Sequence, residues 1–283
     1  IEKSYEGRDP VSARRDPSIR LKHKNTVFDL ARQQNPKIAQ LPQITPEGRV
    51  LWGRLSGDKT DVSIQPKNYS KHVLDEETGA MRRVPDTEKI VAAGKAIMQE
   101  ILQPSTVPGP EDTFIHFSSR SKLLEANHRI YNNVAPEQTG KLMNAIIDNI
   151  LMDPSNDAAS AKTHSGVGQA LKRSEGIVIY IRSQESLEKT RQWLIDYQIK
   201  NPGDFVPAVP RWTEPFAHGM STADQPTDGT ASFGTSRAAA IDAALAAFSS
   251  YPPEQQNFET LLGLVEKEFR RRGIHPDNPH RND

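Results

Sequence analysis

Cysteine is absent from the 283 residues of this chain. That excludes disulfides, thiolate nucleophiles and cysteine-ligated metals. Aromatic residues are scarce, at 6%, and hydrophobic residues of all kinds reach only 35%. A modest core can be built from that, but not every segment has apolar material to bury. No apolar run approaches the roughly 20 residues that span a bilayer. The opening residues, Ile1-Glu-Lys-Ser-Tyr-Glu6, lack the succession of a signal peptide. Net charge is also missing, with 36 Lys+Arg against 36 Asp+Glu. Neither nucleic acid nor an acidic membrane surface is therefore expected as a partner. The eight histidines are scattered and form no HExxH-type pair, so no metal site is expected.

What is present reads as α+β, with a mixed or antiparallel sheet flanked by helices in one domain over residues 48–283. Residues 1–47 mix charges with Pro10, Pro17, Pro36, Pro42 and Pro46 and are expected to form an extended, weakly ordered arm. Val50–Ser56 and Thr60–Gln65 alternate around Gly57-Asp58 and predict a hairpin. The polar stretch from Asp75 to Pro85 reads as a loop. A helix is predicted from Thr87 to Leu102, capped by Asp86 or Thr87, and a strand over Thr113–Phe117. Arg129–Val134 reads as another strand. Pro136 opens a helix whose apolar face is Leu142, Ile146 and Ile150, and Asp153-Pro154 stops it. Residues 154–170 read as a long loop of small and polar residues. The apolar run Ile177–Ile181 predicts a central strand. Ser183 caps a helix to Lys200, the segment Phe205–Met220 reads as extended, and Ser221–Ser236 as a Gly/Ser/Thr-rich connection. Two helices close the chain, the second ending at Arg270-Arg-Arg272 with Gly273 just past its end.

The stretch from Arg129 to Tyr180 gathers Arg129, Lys162 and Arg173 at the edges of one predicted sheet, and such a cation set suits a phosphorylated ligand. Bland readings stand beside each residue. Lys162 is either a solvated loop lysine or a base. Arg173 is either a strand-flanking cation or an anion ligand. Arg211, between Pro210 and Trp212, either stacks on the indole or binds an anion. His116 reads as structural. His164 and Ser165 are neighbours with no placed acid partner, so hydrolysis is discounted.

Between Arg54 and Asn278 the chain resembles the HopA-type effectors that plant-pathogenic bacteria inject through type III secretion. The resemblance is carried in order by Val62–Ser70, Ile177–Ile181, Pro202–Val206, Gly219–Ala223, Gly234–Arg237, Ile241–Leu245 and Arg272–Pro279. A more distant resemblance, through Asp112-Thr-Phe-Ile-His116, the strand ending at Val134, Glu137-Gln138 and Ile179-Tyr-Ile181, is to the phosphothreonine lyase effectors of the OspF/SpvC type. That resemblance implies β-elimination of phosphate from a phosphorylated Ser or Thr of a host protein. Lys162 would be the base, and Arg129, Arg173 and Arg211 would hold the phosphate. The general-acid position carries Tyr131 where the family has histidine, with His128 and His218 as other candidates. No metal or organic cofactor is implied, since a lysine, arginines and a proton donor suffice. The resemblance further implies delivery into a host cell, a virulence role, and a secretion chaperone bound by a segment preceding Ile1. Two alternatives stay open. One is a non-catalytic effector that occupies host immune-signalling proteins. The other is a dehydrating lyase of peptide biosynthesis in the bacterial cytoplasm.

Overall fold

The computed structural model describes residues 43–44, 50–51, 60–66, 70–74, 81–86, 88–89, 92, 113–119, 125–164, 174–227 and 232–283. The predicted arm lies outside them apart from Gln43–Ile44, and the interior of the predicted Thr87–Leu102 helix is likewise undescribed. The start of that helix is described. The Lys89 amide donates to Asp86 Oδ1 at 3.3 Å, so Asp86 is its cap.

Among the described residues, eleven strands build two sheets. The larger one has nine strands in the order β1-β2-β3-β6-β8-β9-β7-β11-β10. These are β1 (Gln43–Ile44), β2 (Val50–Leu51), β3 (Thr60–Pro66), β6 (Thr113–Ser119), β7 (His128–Asn132), β8 (Ala158–His164), β9 (Ile177–Ile181), β10 (Glu214–Ala217) and β11 (Met220–Asp224). Every neighbouring pair in it is antiparallel. The predicted hairpin is present, with Val50 opposite Ile64. β4 (Ser70–Leu74) and β5 (Met81–Pro85) form a separate two-stranded sheet. Met81–Pro85 is therefore a strand and not part of a loop. Its pairing with Ser70–Leu74 supplies order that its polar composition did not signal.

Helix α1 (Thr139–Ile146) follows a single 3₁₀ turn at Pro136–Gln138 and runs into a π turn at Ile147–Leu151. The π turn is closed by the Met152 amide donating to the Ile147 carbonyl five residues back, at 3.0 Å. Helix α2 (Gln184–Lys200) starts where Ser183 Oγ accepts from the Ser186 amide at 3.2 Å. These two helices cover one face of the large sheet. Leu142, Met143, Ile146, Leu151, Leu187 and Leu194 pack there against Ile115, Phe117, Ile130, Ala161, Ile177, Ile179 and Ile181. Each fully buried Leu, Ile or Phe side chain in that layer contributes about 1.5–3 kcal/mol.

Residues 158–164, read from sequence as part of a loop, are the interior strand β8. Ala158, Ala161 and Thr163 are buried, and small side chains let the strand lie close under the helical layer. Strand status here comes from hydrogen bonding to β6 and β9 on both sides. The connection predicted from Ser221 also begins too early, because Met220–Asp224 is β11, paired with β7 and β10.

Helices α3 (Phe233–Phe248) and α4 (Phe258–Arg271) pack together around Ala240, Phe269 and Ile274. Phe233, at the start of α3, sits on the opposite sheet face against Tyr131, Val178 and Ala223. Gly273 takes φ +63 just past α4, as expected of a residue ending a helix.

Candidate functional site

Strand alternation decides which side chains share the face that α3 approaches. His116, Lys162, Val178, Tyr131 and Ser221 lie directly across from one another on five consecutive strands. One step along, Ser160, Tyr180, Arg129 and Ala223 form a second row. Lys162 and Tyr131 thus flank Val178, their Cα atoms on the order of 10 Å apart at ordinary strand spacing.

These rows floor a cavity of about 450 Å³. Phe114, Lys162, Tyr180, Arg129 and Tyr131 line it from the sheet. Pro210, Arg211 and Trp212, with Ser174 and Glu175 and with Ser232, Gly234 and Thr235 at the start of α3, complete the lining.

Lys162 Nζ stands 4.2 Å from the Phe114 ring centroid and 5.4 Å from that of Tyr180. The Arg129 guanidinium carbon lies 5.3 Å from the same Tyr180 ring. One phenol ring therefore carries two cations, each attracted to its π face. Arg129 is buried, and its Nε donates to Gln225 Oε1. Tyr131 is buried too, and its hydroxyl has no close acceptor among the described residues. Burial pushes the Tyr131 phenol well above its ordinary pKa, and the nearby Arg129 charge offsets only part of that. The phenol is therefore a neutral O–H donor across the physiological range. The α3 N-terminus adds partial positive charge, with the Ser232 side chain capping the Thr235 amide at 3.2 Å. Trp212, in the same lining, has φ +64, a left-handed backbone that a large aromatic side chain rarely adopts.

A family model described as the HopA1 effector protein family matches residues 112–281, more than half of the chain. The chain belongs to the HopA1 effector protein family. Two solved structures share its fold. One is titled as the structure of the effector protein from Pseudomonas syringae pv. tomato strain DC3000. It is 15% identical with a TM-score of 0.54, covering 95% of this chain and 83% of that one. The other, the effector protein from Pseudomonas syringae pv. syringae strain 61, is 15% identical with a TM-score of 0.51, covering 93% and 97%. No curated protein matches the sequence.

In this HopA1-family chain, Lys162, Arg129, Arg211 and Tyr131 line a single cavity although they lie up to 82 positions apart in sequence, from 129 to 211. Arg173 lies outside the described residues. His128 and His218 are not among the lining residues. His128 precedes Arg129, so the pleat sends it to the other face, where its Nδ1 meets Asp224 Oδ1 at 3.0 Å. His218 is exposed in the turn between β10 and β11, where its carbonyl accepts from Gln198 Nε2 at 2.6 Å. Thr222 faces away from the cavity, its hydroxyl donating to the Arg129 carbonyl at 3.0 Å. Sequence reasoning missed Phe114, Tyr180, Glu175, Trp212 and the α3 N-terminus. The Ser232–Thr235 cap was the one local signal that could have placed the last of these. Among the described residues no helix is long and apolar enough to cross a membrane, and no cluster of three or more His, Asp and Glu could hold a metal.

Proposed function

We propose that this HopA1-family chain is a type III secreted effector whose cavity grips a phosphorylated Ser or Thr of a host protein and eliminates the phosphate. The observation that carries this reading is the pair of cations, Lys162 and Arg129, set on the one Tyr180 ring inside a cavity that Tyr131 and Arg211 also line. The cavity size suits a side chain with its phosphate.

The step balances with these groups alone. Lys162, once it has released its own proton to solvent, takes the Cα proton of the phosphorylated residue. The electron pair left behind forms the Cα=Cβ double bond as the Cβ–O bond breaks. The Tyr131 O–H gives its proton to the departing phosphate oxygen. Arg129, Arg211 and the α3 amides hold the remaining oxygens, where forked guanidinium donors are strongest. Afterwards the Lys162 ammonium and the Tyr131 phenolate exchange the proton through water.

Incubation with phosphothreonine peptides, followed by mass spectrometry, should show loss of phosphoric acid and a dehydrobutyrine residue. Lys162→Ala should abolish that product. An intact phosphopeptide after prolonged incubation with active, folded wild-type chain, across several sequences, overturns the catalytic reading.

A second reading rests on two observations. A carboxylate, Glu175, lines the same cavity, and no histidine lines it among the described residues. Both suit a chain that binds a host immune-signalling protein without turnover. In that case host-protein binding survives Lys162→Ala, and no phosphopeptide loses phosphate.

A further inference from the structure

Arg129 is oriented by a residue outside its cavity. Gln225, the acceptor for Arg129 Nε, follows β11 and lines a separate polar cavity of about 610 Å³ together with His128, Asp224 and Asn282. The Arg129–Gln225 hydrogen bond thus joins a residue that lines the first cavity to one that lines the second.

Gln225 has little freedom to move. Its amide donates to the Asn127 carbonyl at 2.7 Å, and its own carbonyl accepts from Asn282 Nδ2 at 2.8 Å. The preceding Asp224 is fastened as firmly. Its amide donates to the His280 carbonyl at 2.7 Å, and its carboxylate accepts from His128 Nδ1 at 3.0 Å and from the Asn282 amide at 2.9 Å. The C-terminal segment that supplies His280 and Asn282 is closed on itself by a bridge between Ile274 and Asn282. Arg237 Nε, in α3, donates to its Pro279 carbonyl at 3.0 Å.

We infer that Gln225 is a positioning residue for the anion site, and that the C-terminal segment 274–282 locks it in place. With Nε taken by Gln225, the two terminal nitrogens of Arg129 are the ones left for a ligand in the cavity that Arg129 lines. A neutral amide suits this role. A carboxylate there would pair with the guanidinium and neutralise the charge meant for the ligand. An aliphatic side chain would leave a buried Nε without its acceptor and free the guanidinium to turn. The inference rests on the phosphate reading above.

The test is binding of inorganic phosphate to the full chain, followed by isothermal calorimetry in a double-mutant cycle with Arg129. Gln225→Leu should weaken phosphate binding by about tenfold, the scale of one hydrogen bond to a charged group. In an Arg129→Gln background the same change should have no further effect. Gln225→Glu keeps an acceptor of the same shape, so it serves if the leucine variant fails to fold. It should weaken binding at least as much. Phosphate binding that both Gln225 variants leave unchanged overturns the positioning role alone. So does an equal loss from Gln225→Leu in the Arg129→Gln background. A wild-type chain that binds no phosphate overturns the anion site and this inference with it.

Discussion

Tyr131 carries a hydroxyl that folding buries without a close acceptor. In a purely structural role phenylalanine would serve better, because an unsatisfied buried polar group costs about 1–3 kcal/mol. Tyr131→Phe should therefore leave urea stability unchanged or raise it by up to about 1 kcal/mol. If the hydroxyl is the proton donor, turnover of phosphothreonine peptide should fall roughly 10²–10⁴-fold in the same variant. Stability and turnover moving in opposite directions would mark the residue as chemical. A loss of both would mark it as packing. The phenol's raised pKa gives a second signature. The Tyr131 contribution is fully present below the ordinary phenol value, near ~10, and is lost as pH rises toward the higher folded value. Wild-type stability should decline above about pH 10. Part of that decline should disappear in Tyr131→Phe. Tyr197, also raised by burial and then by its hydrogen bond to Asp204, accounts for a further part. Lys162→Met offers a companion test. Methionine keeps an unbranched chain against Phe114 and Tyr180 but has no amine, so activity should vanish while thermal stability changes by less than about 1 kcal/mol.

At the scale of elements, the β10–β11 turn sets the edge of the sheet. Gly219 holds φ +71 there, and a Cβ on it would run into the Val206 carbonyl. Its carbonyl also accepts from the Asn133 amide at 2.7 Å. Gly219→Ala should cost more than about 2 kcal/mol in urea unfolding, as backbone strain and a clash with main chain add together. Gly203→Ala, whose added Cβ meets nothing within 4 Å, should stay within about 0.5 kcal/mol. Equal effects at the two glycines would refute the turn argument. Local signals of this kind are legible in the sequence itself. Asp86, Pro136, Ser183 and Gly273 each carry their role in their own chemistry. So are the long apolar runs, Ile177–Ile181 and the Leu142–Ile150 face. β8 is not legible, because Ala-Ala-Ser-Ala-Lys-Thr-His has no strong strand preference of its own and is a strand by virtue of its neighbours. The same gap hid the site's completion. Lys162 stands out in the sequence as one of a cation set, and the resemblance gives it the place of a base. That Phe114, Tyr180, Trp212 and the start of α3 meet it is a consequence of strand order, which spacing along the chain does not encode.

On the scale of the whole molecule, the α3–α4 pair and the C-terminal segment are attached to the sheet through a polar seam at Asp224. Acid should loosen that seam. Burial on its own would raise the Asp224 carboxyl, but the hydrogen bonds from His128 and the Asn282 amide, with the charges of His128 and His280, bring it below its usual range. Burial lowers the His280 imidazole, with Glu214 opposing and Arg281 assisting. Both shifts act in the same direction. A group whose folded pKa is depressed gives stability that is present above its unfolded value and lost as pH falls through the folded one. Stability should therefore fall in two stages, the first below about pH 6.5 as the unfolded chain takes up the His280 proton, the second below about pH 4 as it takes up that of Asp224. Urea midpoints measured from pH 8 to pH 3 would show the stages. Asp224→Asn should flatten the lower one, and His280→Gln the upper. Hydrogen exchange then separates a local event from a global one. The Asp224 and Asn282 amides, which close the seam, should lose protection at acid pH before the β8–β9 ladder does. If instead all amides exchange together, or the midpoint stays level down to pH 3, the C-terminal segment is not held by these charges. Its grip on Gln225 would then have to come from uncharged hydrogen bonds alone, such as that from Asn282 Nδ2 to the Gln225 carbonyl.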